Sequence, residues 1–198
     1  MINLRPPHRP ATPEDAHAMA ELVNMAGENL PLYTWDSMAG PGESAWDVGI
    51  SRARREHGGF SWRNTILRED SGSIIACLIG YPLEDTPQPV DYGEMPSMFV
   101  PLQQLEDEVP GTWYVNVLAT YPEYRGKGYG SELLDIAEQL AVDTNRNGIS
   151  VIVSNANTGA RRLYKKQGYR EYARRAMVKE DWENPGAEWI LLSKEIRR

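Results

Sequence analysis

The chain has 198 residues, 41% of them hydrophobic and 25% charged. These values exclude disordered and collagen-like classes and suit one domain, or one domain with a sizeable insertion. A formal net charge of −7 argues against a nucleic-acid partner, which would need a basic face to displace phosphate counterions.

No apolar run approaches the length that crosses a bilayer. The N-terminal stretch MINLRPPHRP lacks the apolar core of a signal peptide. The expected compartment is therefore the cytoplasm, with no membrane partner. In chain order, Thr12-Pro13-Glu14-Asp15 is the first helix start. Thr12 serves as N-cap, Pro13 fits the first turn, and two acids sit at the positive helix end. Ala16, Met19, Ala20 and Val23 continue at helical spacing. Residues 27–42 are rich in Gly, Pro and aromatics and read as a loop. Ser44 caps a second helix that ends near His57-Gly58-Gly59.

Phe60–Arg68 and Ser73–Tyr81 read as strands joined by the turn Glu69–Gly72. Cys77, the only cysteine, lies in the second of them and reads as an inert core thiol. Six prolines between 82 and 111 forbid a central strand or a long helix. That stretch reads as an acidic inserted loop, with a short helix near Leu102–Glu108. His8, His17 and His57 have no metal-ligand spacing, so no metal is expected.

Thr112–Thr120 (TWYVNVLAT) reads as a strand, and a helix runs from Gly130 to about Arg146 with Gly130, Leu133, Leu134, Ala137, Leu140 and Ala141 in register. Ile149–Ser154 is a short apolar strand of the kind buried on both faces. A short helix follows from Thr158 to Gln167. Tyr169–Lys179 and Glu188–Ile196 read as a closing antiparallel pair. The short crossover implies parallel pairing of the 112–120 and 149–154 strands.

Between strand and helix lies Arg125-Gly126-Lys127-Gly128-Tyr129-Gly130. Glycines let amide groups approach a ligand, the helix start adds unpaired N–H groups, and two cations add charge. A nucleotide P-loop would need Gly-Lys-Ser/Thr after the second glycine, which is absent. A dinucleotide fingerprint would need a further glycine where Ser131 or Leu133 stands. R-x-x-G-x-G fits without adjustment. Taken alone, the turn is either an anion site or a tight connection.

Residues 117–138 (VLATYPEYRGKGYGSELLDIAE) resemble the signature segment of the GNAT N-acetyltransferases, and Asn157-x-x-Ala160-x-x-Leu163-Tyr164-x-x-x-Gly168-Tyr169 is similar to that family's second motif, with Tyr169 for the usual phenylalanine. The resemblance implies a single domain over 1–198 with a mixed α/β fold. Its sheet would be mostly antiparallel, twisted and flanked by helices, with a central parallel pair splayed at the CoA site. It also implies acetyl-CoA as acyl donor. Leu118, Ala119 and Thr120 would pair with the pantetheine arm, and Arg125, Gly126, Lys127, Gly128, Tyr129, Gly130 and Ser131 would surround the pyrophosphate. Asn157 would face the pantetheine, and Lys165 or Lys166 would reach the 3′-phosphate. Tyr164 would assist the departing thiolate.

Many relatives carry a glutamate where this chain has Asn116, which can order a water but cannot take a proton. Asp91, Glu94, Glu106, Asp107 and Glu108 of the inserted loop are the substitute bases, and the loop's acidity points to a cationic amine acceptor. Tyr33, Trp35 and Trp46 fall where the family shapes its acceptor pocket, though ordinary packing explains them as well. Transfer of a longer acyl chain, a CoA-binding sensor without catalysis, and a homodimeric assembly all remain compatible with the sequence.

Overall fold

In the computed structural model, residues 4–196 are described; the remainder of the expected 1–198 domain lies outside the described residues. Seven strands form one sheet in the order β1-β2-β3-β4-β5-β7-β6. They are β1 (His8–Pro10), β2 (Thr65–Asp70), β3 (Ser73–Pro82), β4 (Thr112–Thr120), β5 (Gly148–Ser154), β6 (Arg170–Ala176) and β7 (Glu188–Glu195). The helices are α1 (Ala16–Ala26), α2 (Leu30–Met38), α3 (Ala45–Ala53), α4 (Val100–Glu106), α5 (Tyr129–Asp143) and α6 (Thr158–Lys166). β4 and β5 form a parallel pair, and β1–β2, β2–β3, β5–β7 and β6–β7 are antiparallel neighbours. The mixed, mostly antiparallel sheet and its one parallel pair match the expected fold class.

The chain divides into two compact units. One holds residues 4–80 together with Asn116–Leu133, and the other holds Tyr81–Val115 and residues 134–196. In the first unit, the helix start expected at Pro13 is a 3-10 turn, and α1 itself begins at Ala16 with Asp15, not Thr12, at its N-cap. Thr12 precedes a 3-10 turn over Pro13–Asp15, and its N–H donates to Asp15 Oδ2 at 2.7 Å. Ala16, Met19, Ala20, Leu22 and Val23 are all buried, joined in one core by Leu67, Cys77, Ile79, Val117 and Ala119. Burial raises the Cys77 thiol to about 12, so it is protonated and inert, as the apolar run implied.

Three local expectations are corrected. Residues 30–38, within the expected 27–42 loop, are helical: Pro31 sits in the first turn of α2, where its missing N–H would have no partner anyway. The helix capped by Ser44, which accepts from Asp47 N, ends at Ala53 rather than near His57. The strand expected from Phe60 begins at Thr65, because residues 62–64 form a 3-10 turn capped by Ser61. β1, marked by no pattern in the sequence, pairs His8–Pro10 with Ile66–Arg68.

Trp35 of α2 explains much of this unit's packing. It is 3% exposed, stacked on Phe60 at 5.9 Å and edge-on to Trp46 at 6.2 Å. Gly49 of α3 lies against it: a Cβ there would come within 2.5 Å of the indole ring. Gly49→Ala is expected to cost about 1–3 kcal/mol through overpacking, read as a lowered denaturation midpoint with an unchanged m-value.

In the second unit, the parallel register runs from Thr112↔Gly148 to Val115↔Val151 and ends there, while β5 continues to Ser154 paired with β7. A buried Thr112 Oγ1–Ser150 Oγ hydrogen bond of 2.8 Å joins the two strands. The segment 82–111 is tied at its stem: Leu83 N donates to Thr112 O, Gly111 N to Glu84 O, and Arg146 to Leu83 O. Its short helix, α4, is displaced about half a turn toward the N-terminus from the expected 102–108. Among the described residues no helix is long and apolar enough to cross a membrane.

Candidate active site

The residues expected to contact the donor divide between the two units. Asn116, Leu118, Ala119, Thr120 and the Arg125–Ser131 turn belong to the first, and Asn157 and Tyr164 to the second. Along β4 the side chains alternate: Val117 and Ala119 are buried, whereas Asn116, Leu118 and Thr120 are half-buried. That alternation is the two-residue period of a strand.

The turn after β4 has the conformation its glycines imply. Gly126 and Gly128 have φ of +77° and +91°, a region costly for residues with a Cβ, and a Cβ at either would meet nothing within 4 Å. The Gly128 carbonyl accepts from Ser131 N and Glu132 N, so α5 starts immediately after it. Among the described residues, the N–H groups of Gly126, Lys127, Gly128, Tyr129 and Gly130 donate to no protein acceptor. Exposed free amides ahead of a 15-residue helix make an anion cradle.

The flanking charges are arranged around this turn. Arg125 Nε donates to Thr120 O at 3.0 Å, and its Nη2 lies 3.0 Å from Met25 Sδ. The Arg68 guanidinium lies 3.5 Å from the Tyr129 ring centroid and donates to Glu132 Oε2, offsetting the acid in the first turn of α5. Lys127 stands 5.2 Å from the Tyr124 ring centroid.

In the other unit, Asn157 caps α6: its Oδ1 accepts from Ala160 N at 3.1 Å, a use that the sequence motif did not reveal. Tyr164 is 5% exposed and packs at 5.5 Å against Tyr169. Burial alone raises its phenol above the ordinary value, so it is protonated across the physiological range and can act as a donor. Lys165 and Lys166 are exposed in the last turn of the same helix.

The inserted acids are now distinguishable. Asp91 accepts from Gly93 N, Asp107 from Tyr92 and Gln103, and Glu108 pairs with Arg175. Glu106 is half-buried without a cation and accepts from the Tyr81 hydroxyl at 3.4 Å. Tyr81 meets Tyr114 edge-on at 5.6 Å. No pattern in the sequence marks Tyr81 or Tyr114, because their significance comes only from what they touch. Trp35, by contrast, lies in the core, and Trp46 is partly exposed beside it. Among the described residues no cluster of three or more His, Cys, Asp or Glu side chains could hold a metal ion.

An exposed glycine cradle between a strand and a helix, on a mixed sheet with a parallel pair, suits a protein that binds a diphosphate-bearing coenzyme. The model of the Acetyltransferase (GNAT) family matches residues 30–169. The chain belongs to that family: it is an N-acetyltransferase with acetyl-CoA as cosubstrate.

It is similar to an S-alkylcysteine N-acetyltransferase of Bacillus subtilis (strain 168), 28% identical over 171 residues, spanning 83% of this chain and 78% of the relative. An N-acetyltransferase structure from Staphylococcus aureus Mu50 shares the fold with a TM-score of 0.63 at 20% identity, covering 94% and 99% of the two chains. A GNAT family acetyltransferase from Elizabethkingia anophelis with acetyl-CoA bound aligns with a TM-score of 0.54 at 19% identity, over 89% of each.

Proposed function

We propose that the chain, acting in the cytoplasm, transfers the acetyl group of acetyl-CoA to a primary amine by direct attack in a ternary complex. The observation that carries this is the Arg125–Ser131 turn, with Gly126 and Gly128 at positive φ and their amides free ahead of α5. The pyrophosphate rests on those amides, and the pantetheine arm pairs with the β4 backbone at Leu118, Ala119 and Thr120, where the recorded parallel register has already ended. Asn157 caps the helix that carries Tyr164 and faces the pantetheine.

Alignment of amine and thioester supplies most of the acceleration, roughly 7–11 kcal/mol in favourable cases. The amine nitrogen bonds to the thioester carbon, the C–S bond breaks, and Tyr164 donates a hydrogen bond to the charge developing on sulfur. Asn116 cannot accept a proton and orders water instead. The acceptor is a small primary amine, and the similarity to an S-alkylcysteine N-acetyltransferase favours the α-amine of a compact amino acid.

Thiol release from acetyl-CoA, measured against a panel of S-alkylcysteines, other amino acids, polyamines and peptides, tests this reading. Release stimulated by a primary amine is the expected outcome. CoA binding with no stimulated release would replace the reading with that of a CoA sensor.

A further inference from the structure

The 82–111 segment does more than connect β3 to β4. Under it lies a cavity of about 220 Å³, lined by Tyr81, Leu83, Pro87, Val90, Gln103 and Glu106 among others. Leu83, Val90 and three prolines form its apolar part, and the half-buried Glu106 carboxylate beside them is costly unless something positive comes to meet it. Two other carboxylates share the lining: Glu84 is exposed, and Asp107 already accepts from Tyr92 and Gln103. The contact from Tyr81 is long for an O–H donor and leaves the Glu106 oxygens largely available. Tyr81 also meets Tyr114 at 5.6 Å, and Glu106, Tyr81, Tyr114 and Tyr164 belong to the same unit.

We propose that Glu106 is the base that removes the proton from the acceptor's ammonium, and that this cavity receives the amine and its apolar arm. The inference rests on the N-acetyltransferase reading above and supplies the base that Asn116 cannot be.

The charges around Glu106 support the assignment. Asp107, next along the chain, is held by Tyr92 and Gln103. On β6, Arg175 pairs with Glu108 and Arg174 with Glu171 and Glu188, while Arg170 is exposed. On β7, Lys194 pairs with Glu138, and Glu195 is exposed. β5 and the 3-10 turn at 97–99 carry no titratable side chain. Burial foremost raises Glu106 to about 7, Asp107 adds to the rise, and the Tyr81 hydrogen bond opposes it. A base ionising near neutrality is matched to its task.

The protons balance. Glu106 takes one from R–NH3+, giving a neutral carboxyl and a free amine. The amine lone pair forms the N–C bond while the C–S pair leaves on sulfur. The proton that nitrogen sheds on becoming an amide equals the one the thiolate takes up, and Glu106 then releases its own to solvent.

The pH dependence of kcat/KM for wild type, Glu106→Gln and Glu106→Asp tests the assignment. Two acceptors are compared: an alkylamine, charged at the assay pH, and an aminooxy compound, neutral there. With the alkylamine, wild-type activity is expected to rise through about pH 7. Glu106→Gln should lower it about a hundredfold, and Glu106→Asp should recover part of the loss. With the aminooxy acceptor the Gln variant should remain within about threefold of wild type, because no proton needs removing.

Tyr81→Phe removes the opposing hydrogen bond and should move the rise to higher pH. An active wild type with an unaffected Gln variant, or a Gln variant equally impaired with both acceptors, overturns the assignment alone. A wild type silent toward every acceptor overturns it together with the reading beneath it.

Discussion

Tyr164→Phe is expected to lower kcat by about a hundredfold while leaving acetyl-CoA affinity nearly unchanged. The phenol is buried against Tyr169, and burial raises its ionisation, so the group stays protonated and ready to donate at any pH where the enzyme works. Outright transfer of its proton to a thiolate is unfavourable, since an ordinary thiol ionises near 8.5, below even an unperturbed phenol. On the proposed mechanism the hydroxyl acts by hydrogen bonding to charge that exists only as the C–S bond breaks. Its loss should appear in turnover and not in ground-state binding. Calorimetric titration with acetyl-CoA alongside steady-state kinetics separates the two. Equal turnover in the variant would remove Tyr164 from the chemistry.

Gly128→Ala is expected to weaken acetyl-CoA binding more than tenfold while costing only about 1–2 kcal/mol of folding stability. The stability cost comes from the backbone, because Gly128 has φ +91° and an added Cβ would meet no protein atom within 4 Å. The affinity cost follows from the proposed site, in which the diphosphate rests on the free amides of this turn and the added methyl intrudes on it. A variant that melts earlier yet binds acetyl-CoA as wild type does would show that the diphosphate rests elsewhere.

The part of the molecule most legible in sequence is the part whose function depends on backbone conformation. Gly126 and Gly128 announce a turn that few other residues can make, and TWYVNVLAT marks β4 to the residue, because β-branched and aromatic side chains crowd it. Tyr164 is recoverable because helical spacing places it on one face with Ala160 and Leu163.

Legibility fails where tertiary contact decides. α2 hides behind Pro31 and flanking glycines, and its helical state is supported by Trp35 packing on Phe60 and over Gly49. Glu106 looks like its acidic neighbours along the chain; only the folded segment shows that Asp107 and Glu108 have close partners while Glu106, on the same cavity wall as Asp107, has a long contact from Tyr81. Asn157 reads as a ligand contact in the motif, yet in the structure it first of all starts a helix.

The stem of the 82–111 segment has an evolutionary consequence. Its tethers, from Leu83 and Arg146 at one end and Gly111 at the other, leave the mostly exposed stretch 84–94 free to vary, whereas Met98, Leu105 and Val109 are buried and stay fixed. If the proposed acceptor cavity is correct, insertions or exchanges within that stretch would redirect the enzyme toward new nitrogen nucleophiles while the donor apparatus stays as it is. Selectivity in this lineage can thus diversify by swapping one cassette.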